Sequence, residues 1–196
     1  MAGVSEAKRR IGILGGAFDP PHVGHVELAR AAREHYGLGE LLVLVVADPG
    51  HKGTSASAAD RLELARLAFA EMPNTRVELD RHARTVDSLE ERKPEDAIFL
   101  LGGDELAAFE RWKSPERVLE LVPLGVAMRP GVSESELREA RARLPAPDRI
   151  SFFAMTPTSV SSHDIRARVA RGEPVDGLVP PAVAEAIERL GLYRAD

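Results

Sequence analysis

The sequence predicts an α/β fold, a Rossmann-like doubly wound parallel sheet with C-terminal helices. Six short runs rich in aliphatic and β-branched residues alternate with helical patterns up to residue 156, and only helical patterns follow. Most of these runs are continuously apolar, which is typical of strands covered on both faces. Strands that alternate with helices favour right-handed crossovers and hence a parallel sheet.

Each strand candidate is a short apolar run, and a helical pattern separates it from the next. The six strand candidates span residues 10–14, 41–47, 76–79, 97–101, 124–128 and 150–154. The helical patterns between them lie near residues 22–36, 58–71, 84–92, 104–110, 115–121 and 134–143. The last of these helices begins with Ser133-x-x-Glu136, a capping box in which each side chain satisfies the other's backbone donor.

The segment 157–196 predicts two helices, over residues 162–171 and 181–190. Gly172 and Gly191 suit the ends of these helices, and Pro180-Pro181 suits a helix start. No repeat or low-complexity linker divides the sequence. We therefore expect a single domain over residues 1–196, with a Rossmann-like core over 9–156 and a C-terminal helical subdomain over 157–196.

Composition excludes several classes of function. The chain has no cysteine, so disulfides and thiolate–metal sites are excluded and a reducing compartment is compatible. A formal net charge of −5 argues against a general nucleic-acid binder, whose phosphate contacts need a basic surface. The longest apolar run, LLVLVVA at residues 41–47, is too short to cross a bilayer. We expect a soluble, cytoplasmic protein with no nucleic-acid or membrane partner.

The stretch GILGGAFDPPHVGH, residues 12–25, carries the strongest functional signal. A strand that breaks at glycines and feeds a helix is the usual phosphate-handling element of α/β proteins, because the helix N-terminus offers unpaired N–H donors and partial positive charge. Asp19 is expected to cap the helix, with Pro20 and Pro21 in its first turn. His22 and His25 then lie on one face, one turn apart.

Other interpretations of this stretch are weaker. The glycines form neither the G-x-x-x-x-G-K-[ST] loop of NTPases nor the G-x-G-x-x-G of dinucleotide-dependent oxidoreductases. The spacing of His22 and His25 would suit zinc, but no clear third ligand is nearby, so no metal ligand is predicted in the protein. The two histidines could also be polar residues at a helix start without a role.

GGAFDPPHVGH resembles the G-G-x-F-D-P-x-H-x-G-H signature of the nucleotidylyltransferase superfamily, whose H-x-G-H pair binds ATP phosphates. SVSSHDIR, residues 159–166, resembles the second signature of that superfamily, I-S-S-T-x-I-R. The resemblance implies a catalytic set made of His22, His25 and Arg166. It implies that the ATP phosphates also meet Gly15, Gly16, Phe18, Ser161, Ser162 and His163.

The second signature also has an interpretation of its own and one departure. Ser161 or Ser162 would cap the helix that carries Arg166, so the stretch could be an ordinary serine-capped amphipathic helix. His163 stands where the superfamily usually has threonine. The phosphate interpretation requires the two signatures, far apart in sequence, to meet in space.

Within the superfamily, the chain resembles the bacterial nicotinate mononucleotide adenylyltransferases. The matching segments are PGHK at 49–52, DRLELARLAF at 60–69, RTVDSL at 84–89, LGGDELAAFERW at 101–112 and MRPG at 128–131. The resemblance implies that Lys52 reaches the phosphates and that Gly102 and Asp104 meet the ribose of ATP. It implies that the acceptor is bound by Arg84, Thr85 and Trp112.

Three of these residues have a simpler interpretation. Asp104 could cap a helix, Trp112 could be core packing, and Lys52 could be a solvated loop charge. Departures from the family cluster on the acceptor side, where Arg84 replaces the usual tyrosine and Lys113 follows Trp112. Arg84 would suit a carboxylate on the pyridine ring or another anionic acceptor.

The reaction implied is adenylyl transfer from ATP, with Mg²⁺, to nicotinate mononucleotide, a step of NAD biosynthesis that releases pyrophosphate. The implied partners are ATP and a pyridine mononucleotide, and a homo-oligomer is left open. Two alternatives remain: a related adenylyltransferase with nicotinamide mononucleotide or phosphopantetheine as acceptor, and a non-catalytic relative that binds nucleotide.

Overall fold

A six-stranded parallel sheet forms the centre of the molecule, in the order β3-β2-β1-β4-β5-β6. The structure is a computed structural model that describes residues 10–49, 54–128 and 134–195. The strands are β1 (Ile11–Gly16), β2 (Glu40–Val46), β3 (Thr75–Asp80), β4 (Ala97–Gly102), β5 (Leu124–Met128) and β6 (Ile150–Ala154). The Rossmann-like doubly wound fold class predicted from the sequence is confirmed.

Helices connect the strands and cover both faces of the sheet. They are α1 (Val23–Tyr36), α2 (Ala58–Ala68), α3 (Thr85–Arg92), α4 (Gly103–Ala108), α5 (Pro115–Leu121), α6 (Glu134–Arg143), α7 (Ser162–Ala170) and α8 (Pro181–Leu190). In the part of the chain that the structure describes, none of them is long and apolar enough to span a membrane.

Two hydrophobic clusters form, one on each face of the sheet. Successive strand residues point to opposite faces, so Leu14 joins the cluster beneath α1, α2, α7 and α8, whereas Ile13 joins the cluster beneath α3, α4 and α5. The inner strands are buried on both faces, which explains their continuously apolar runs. β3 lies at the edge of the sheet and is only partly buried.

The C-terminal helices pack on the same face as the first two helices. Ile165 of α7 and Val183 and Ile187 of α8 are buried in the cluster that contains α1 and α2. Arg189 of α8 also pairs with Glu63 of α2 at 2.6 Å. The segment after β6 therefore returns to the beginning of the chain rather than extending away from it.

Two predicted helix ends were wrong, each beside a buried aromatic ring. The helix predicted to residue 71 ends at Ala68, where Phe69 leaves helical geometry and buries its ring in the core. The helix predicted over 104–110 is divided into α4 and a 3-10 turn, Phe109–Arg111, and the chain is extended at Trp112. The predicted capping box at Ser133 and Glu136 lies outside the described residues and side chains.

We expect Leu100→Ala to lower the free energy of unfolding by about 2–5 kcal/mol, because it leaves a cavity in a fully packed central strand. Leu100 is 1% exposed, whereas Leu79 on the edge strand is 43% exposed. Leu79→Ala is the matched control and should cost about 0.5 kcal/mol or less. Urea unfolding followed by circular dichroism measures both, and equal losses would contradict the described burial.

Candidate active site

The strand order places a crevice at the carboxyl ends of β1 and β4. These two strands are neighbours at the centre of the sheet, and the chain leaves β1 toward β2 on one side and β4 toward β5 on the other. Ligands of open parallel α/β sheets bind where the strand order reverses in this way. The loop after Gly16 and the turn after Gly102 both begin at this crevice.

The β1–α1 loop, residues 17–22, contains the buried ring of Phe18, which packs against both ends of the loop. Phe18 is buried, with its backbone in the left-handed region at φ 51°, and its ring meets His25 edge-on at 5.0 Å between centroids. A Cβ atom at Gly16 would lie 3.2 Å from the Phe18 ring, and one at Gly15 would lie 3.2 Å from Phe99. These three predicted site residues thus shape the loop, and their contact with phosphate stays a prediction.

The structure brings His22 and His25 together at the start of α1. Their ring centroids are 3.7 Å apart, and the His22 backbone N–H donates to Nδ1 of His25 at 3.2 Å. Because Nδ1 of His25 accepts that bond, the neutral ring carries its proton on Nε2. The contact therefore selects the tautomer of His25.

Position 24, between the two histidines, has no room for a side chain larger than that of glycine. A Cβ atom there would lie 2.8 Å from Thr158 Oγ1 and 3.0 Å from the ring of His22. The connection from β6 to α7 passes this close to the first turn of α1. A larger residue would displace His22 or that connection.

The prediction that Asp19 caps α1 is wrong. His22 is the N-cap, so Pro20 and Pro21 precede the helix instead of forming its first turn. Asp19 is 4% exposed, and its carboxylate accepts bonds from the backbone N–H groups of Ser55 at 2.7 Å and Ala56 at 3.2 Å. A buried carboxylate needs such donors, and they come from the segment that leads into α2.

Arg61 of α2 is fully buried beside this carboxylate. Its guanidinium donates to the carbonyls of Ala17 at 2.8 Å, Val46 at 2.8 Å and Ala47 at 2.7 Å. Burial lowers the pKa of Arg61, and the nearby Asp19 anion opposes that shift. Arg61 therefore joins the β1–α1 loop to the end of β2.

No role for Arg61 was predicted from the sequence. Arg61 belongs to the buried stripe of α2, at the i, i+3, i+4 and i+7 spacing shared with Leu64, Ala65 and Ala68. An arginine in the apolar stripe of a helix is the signal that could have found it, because arginine is seldom fully buried without partners.

The second signature packs directly on the first. Arg166 Nη1 donates to the backbone carbonyl of Asp19 at 2.6 Å, and Ser162 Oγ donates to that of Pro20 at 2.8 Å. Ser161 is the N-cap of α7 and accepts from the Asp164 N–H at 3.1 Å. Of the two serines predicted to cap, Ser161 does so and Ser162 contacts the loop.

A tyrosine from the end of the chain completes this arrangement. The Tyr193 hydroxyl donates to Oδ1 of Asp19 at 2.8 Å. Burial and the Asp19 anion both raise the pKa of Tyr193, so the hydroxyl keeps its proton. We refer to these five side chains as the Asp19 junction: Asp19, Arg61, Ser162, Arg166 and Tyr193.

Glu27 anchors the β6–α7 connection to α1. Its Oε1 accepts from the Thr156 N–H at 3.1 Å, and its bond from Arg30 is the main cause that lowers the pKa of Glu27 to about 2. A cavity of about 300 Å³ beside this contact is lined by Val23, Val26, Glu27, Thr156, Thr158 and Pro180.

His163, which was predicted to contact the ATP phosphates, lies in the first turn of α7 and is exposed to solvent. Its contact with phosphate stays a prediction.

Gly102 and Asp104 lie at the other strand of the crevice. Gly102 ends β4 and is the N-cap of α4, and Asp104 is an exposed residue of the first turn. Asp104 is therefore not the cap of this helix. An acidic side chain in a first turn is favourable beside the helix dipole, and its contact with ribose stays a prediction.

The predicted acceptor residues lie on α3 and on the segment after α4. Arg84 is the exposed N-cap of α3 and Thr85 its first residue. Trp112 is partly buried, edge-on to Phe99 at 6.2 Å between centroids and tilted against Phe109 at 5.2 Å. Part of the Trp112 ring therefore packs in the core, as the simpler interpretation predicted.

An ion pair connects these two segments. Lys113 Nζ lies 2.7 and 3.0 Å from the two carboxylate oxygens of Asp87 in α3. Lys113, one of the departures from the family pattern, therefore joins the Trp112 segment to α3.

Lys52, predicted to reach the phosphates, lies outside the described residues.

Comparison with known proteins identifies the fold and the family of the chain. Residues 13–168 match the family described as cytidylyltransferase-like. The solved structure of Plasmodium falciparum nicotinic acid mononucleotide adenylyltransferase complexed with NaAD has a TM-score of 0.77 to this chain, over 94% of this chain and 97% of that one. Its sequence identity of 16% limits that likeness to the fold.

Two bacterial relatives carry the name "Probable nicotinate-nucleotide adenylyltransferase". The protein of Chromobacterium violaceum is 39% identical over 211 residues, covering 94% of this chain and 99% of its own length. That of Rubrobacter xylanophilus is 39% identical over 199 residues, covering 95% of this chain and 93% of its own length. Since the similarity spans nearly the whole of each sequence, the chain belongs to the nicotinate-nucleotide adenylyltransferase family of cytidylyltransferase-like nucleotidyltransferases.

Proposed function

We propose that the chain transfers the adenylyl group of ATP to nicotinate mononucleotide, giving nicotinate adenine dinucleotide and pyrophosphate. The observation that carries the proposal is the hydrogen bond from Arg166 to the carbonyl of Asp19, three residues before His22. It joins the two segments whose side chains suit phosphate, and the names of the relatives supply the acceptor.

In the proposed reaction, a phosphate oxygen of the mononucleotide attacks the α-phosphorus of ATP. The bond from that phosphorus to the oxygen bridging to the β-phosphate breaks, and pyrophosphate leaves. A phosphate monoester is already anionic near neutral pH, so the reaction needs no general base. The protein's task is in-line positioning and stabilisation of negative charge.

The site contains side chains suited to that task. His25, with its Nδ1 engaged by the His22 N–H, carries the Nε2–H that would donate to the phosphate where charge develops. His22 and Arg166 would support it, and the donors near the start of α7 would meet the remaining phosphate oxygens. Gly102 and Asp104 would meet the ribose from the opposite strand.

We expect Mg²⁺ to enter with ATP, held by phosphate oxygens and water, because magnesium keeps much of its hydration. When bound, it would neutralise charge on the β- and γ-phosphates. Among the described residues, no group of three or more His, Asp or Glu side chains is placed to hold a metal ion. We therefore assign no side chain of the protein as a magnesium ligand.

The acceptor would bind between the start of α3 and the Trp112 segment. Thr85 and the exposed part of Trp112 would contact the pyridine ring, and Arg84 would attract its carboxylate. The Lys113–Asp87 ion pair supports this arrangement because it holds the two segments together. Arg84 favours the carboxylate of nicotinate mononucleotide over the uncharged carboxamide of nicotinamide mononucleotide.

The acceptor is tested by mixing the protein with ATP and Mg²⁺ and adding, separately, nicotinate mononucleotide, nicotinamide mononucleotide and phosphopantetheine. We expect pyrophosphate release with nicotinate mononucleotide at a kcat/KM at least about tenfold above that of the other two. Faster release with either competitor would replace the proposed acceptor. Binding of ATP without release in any mixture would indicate a non-catalytic relative.

We expect His25→Ala to lower kcat at least about 100-fold, because it removes a donor aimed at developing charge. His35→Ala is the matched control: His35 lies near the opposite end of the same helix, about 15 Å farther along, and is exposed. It should leave kcat unchanged. Steady-state pyrophosphate release measures both variants, and near-normal turnover of His25→Ala would show that the site is misassigned.

We expect Arg84→Ala to raise KM for nicotinate mononucleotide about fivefold and to leave KM for nicotinamide mononucleotide nearly unchanged, since only the first acceptor has a ring carboxylate. Arg81→Ala removes the same charge from the same loop and is the control. Equal effects of the two variants would assign the change to long-range charge and not to contact with the acceptor.

A further inference from the structure

We propose that Tyr193 is a positioning residue for ATP: its hydroxyl holds the Asp19 carboxylate and thereby holds the β1–α1 loop that carries His22. The contact joins residues 174 positions apart in sequence, at 2.8 Å between Oη and Oδ1. This inference rests on the proposed function, because it assigns that loop to ATP.

The Asp19 carboxylate depends on the tyrosine for one of its donors. Its other hydrogen bonds come from the backbone N–H groups of Ser55 and Ala56, both on the segment that leads into α2. Tyr193 belongs to the C-terminal segment, just after α8. Without its hydroxyl, the only hydrogen bond that Oδ1 would keep from the residues that the structure describes is the 3.2 Å bond from Ala56. A buried carboxylate that loses a donor is destabilised. We expect it to shift toward the donors that remain.

Such a shift would reach the proposed catalytic groups through the backbone of Asp19. The carbonyl of the same residue accepts the bond from Arg166, and the next carbonyl, of Pro20, accepts from Ser162. His22 follows two residues later as the N-cap of α1. The Asp19 side chain thus positions both the histidine pair and the arginine.

The backbone at the two ends of this contact is held against its own preference. Tyr193 has φ 63° and Phe18, next to Asp19, has φ 51°, both in the left-handed region that bulky residues rarely adopt. Such conformations persist only where surrounding contacts fix them. For Tyr193, those contacts are its bond to Asp19 and the packing of α8, which Arg189 ties to Glu63 of α2.

The test compares Tyr193→Phe with Tyr36→Phe, because these are the only two tyrosines in the sequence. The Tyr36 hydroxyl also makes a side-chain hydrogen bond, 2.9 Å from Ser151 Oγ, at the far end of α1. Each variant loses one phenolic oxygen and one such bond. Both are measured for kcat, for KM of each substrate, for ATP affinity by calorimetry without acceptor, and for urea unfolding.

We expect Tyr193→Phe to weaken ATP binding and lower kcat/KM for ATP about tenfold, with KM for the acceptor unchanged. Tyr36→Phe should lose less stability, because its bond joins two neutral hydroxyls at an exposed position, and it should keep wild-type kinetics. Unchanged ATP affinity in Tyr193→Phe, or an equal kinetic loss in Tyr36→Phe, would overturn the inference.

A double-mutant cycle with Asp19→Ala, which removes the oxygens that accept from Tyr193, Ser55 and Ala56, tests the route of the effect. If Tyr193 acts through Asp19, Tyr193→Phe should change ATP affinity by less than about twofold in the Asp19→Ala background. Full additivity would overturn the proposed route. Should Asp19→Ala fail to fold, the tyrosine comparison decides alone.

Failure of the proposed function has a separate signature. If the wild-type protein releases no pyrophosphate with nicotinate mononucleotide, the proposed reaction is wrong. The ATP affinities of the two tyrosine variants, measured without any acceptor, still decide whether Tyr193 positions the loop.

Discussion

The buried carboxylate of Asp19 is the constraint on which the histidine and arginine side of the candidate site depends. A carboxylate removed from water is tolerated only when donors and opposite charge surround it, and here they come from three separate parts of the chain. Arg61, buried beside it, needs acceptors in turn and finds them at the ends of β1 and β2. Satisfying these two ions brings together the β1–α1 loop, the lead into α2 and the C-terminal segment.

The two halves of the site are built with different strength. On the proposed ATP side, the Asp19 junction joins distant segments through partly buried hydrogen bonds. On the proposed acceptor side, the Lys113–Asp87 pair is roughly half exposed, and exposed ion pairs contribute little to stability. Two departures from the family pattern, Arg84 and Lys113, fall on that second half, and a third, His163, lies on α7 on the first. All three side chains are exposed, whereas the Asp19 carboxylate and Arg61 are buried.

Most of the fold could be predicted from the sequence because its signals are local. Strands buried on both faces leave continuous apolar runs, such as LLVLVV in β2, and glycines, prolines and serines mark the helix ends. Predictions of polar contacts failed where a side chain binds a partner that is distant in the sequence. Asp19 has the residue type and approximate position of a cap, yet its carboxylate is used by Ser55, Ala56 and Tyr193. Arg61 lies within a helical pattern that says nothing of the carbonyls it binds.

The sequence by itself determined the succession of strands and helices along the chain, the two signatures and the family to which they point. These follow from neighbours along the chain, whose spacing sets periodicity, capping and motif chemistry. Only the tertiary structure decided that Arg166 and Ser162 rest on the β1–α1 loop, and that Tyr193 closes the Asp19 junction. The partner of a buried polar group depends on the path of the whole chain through space, which no local pattern records.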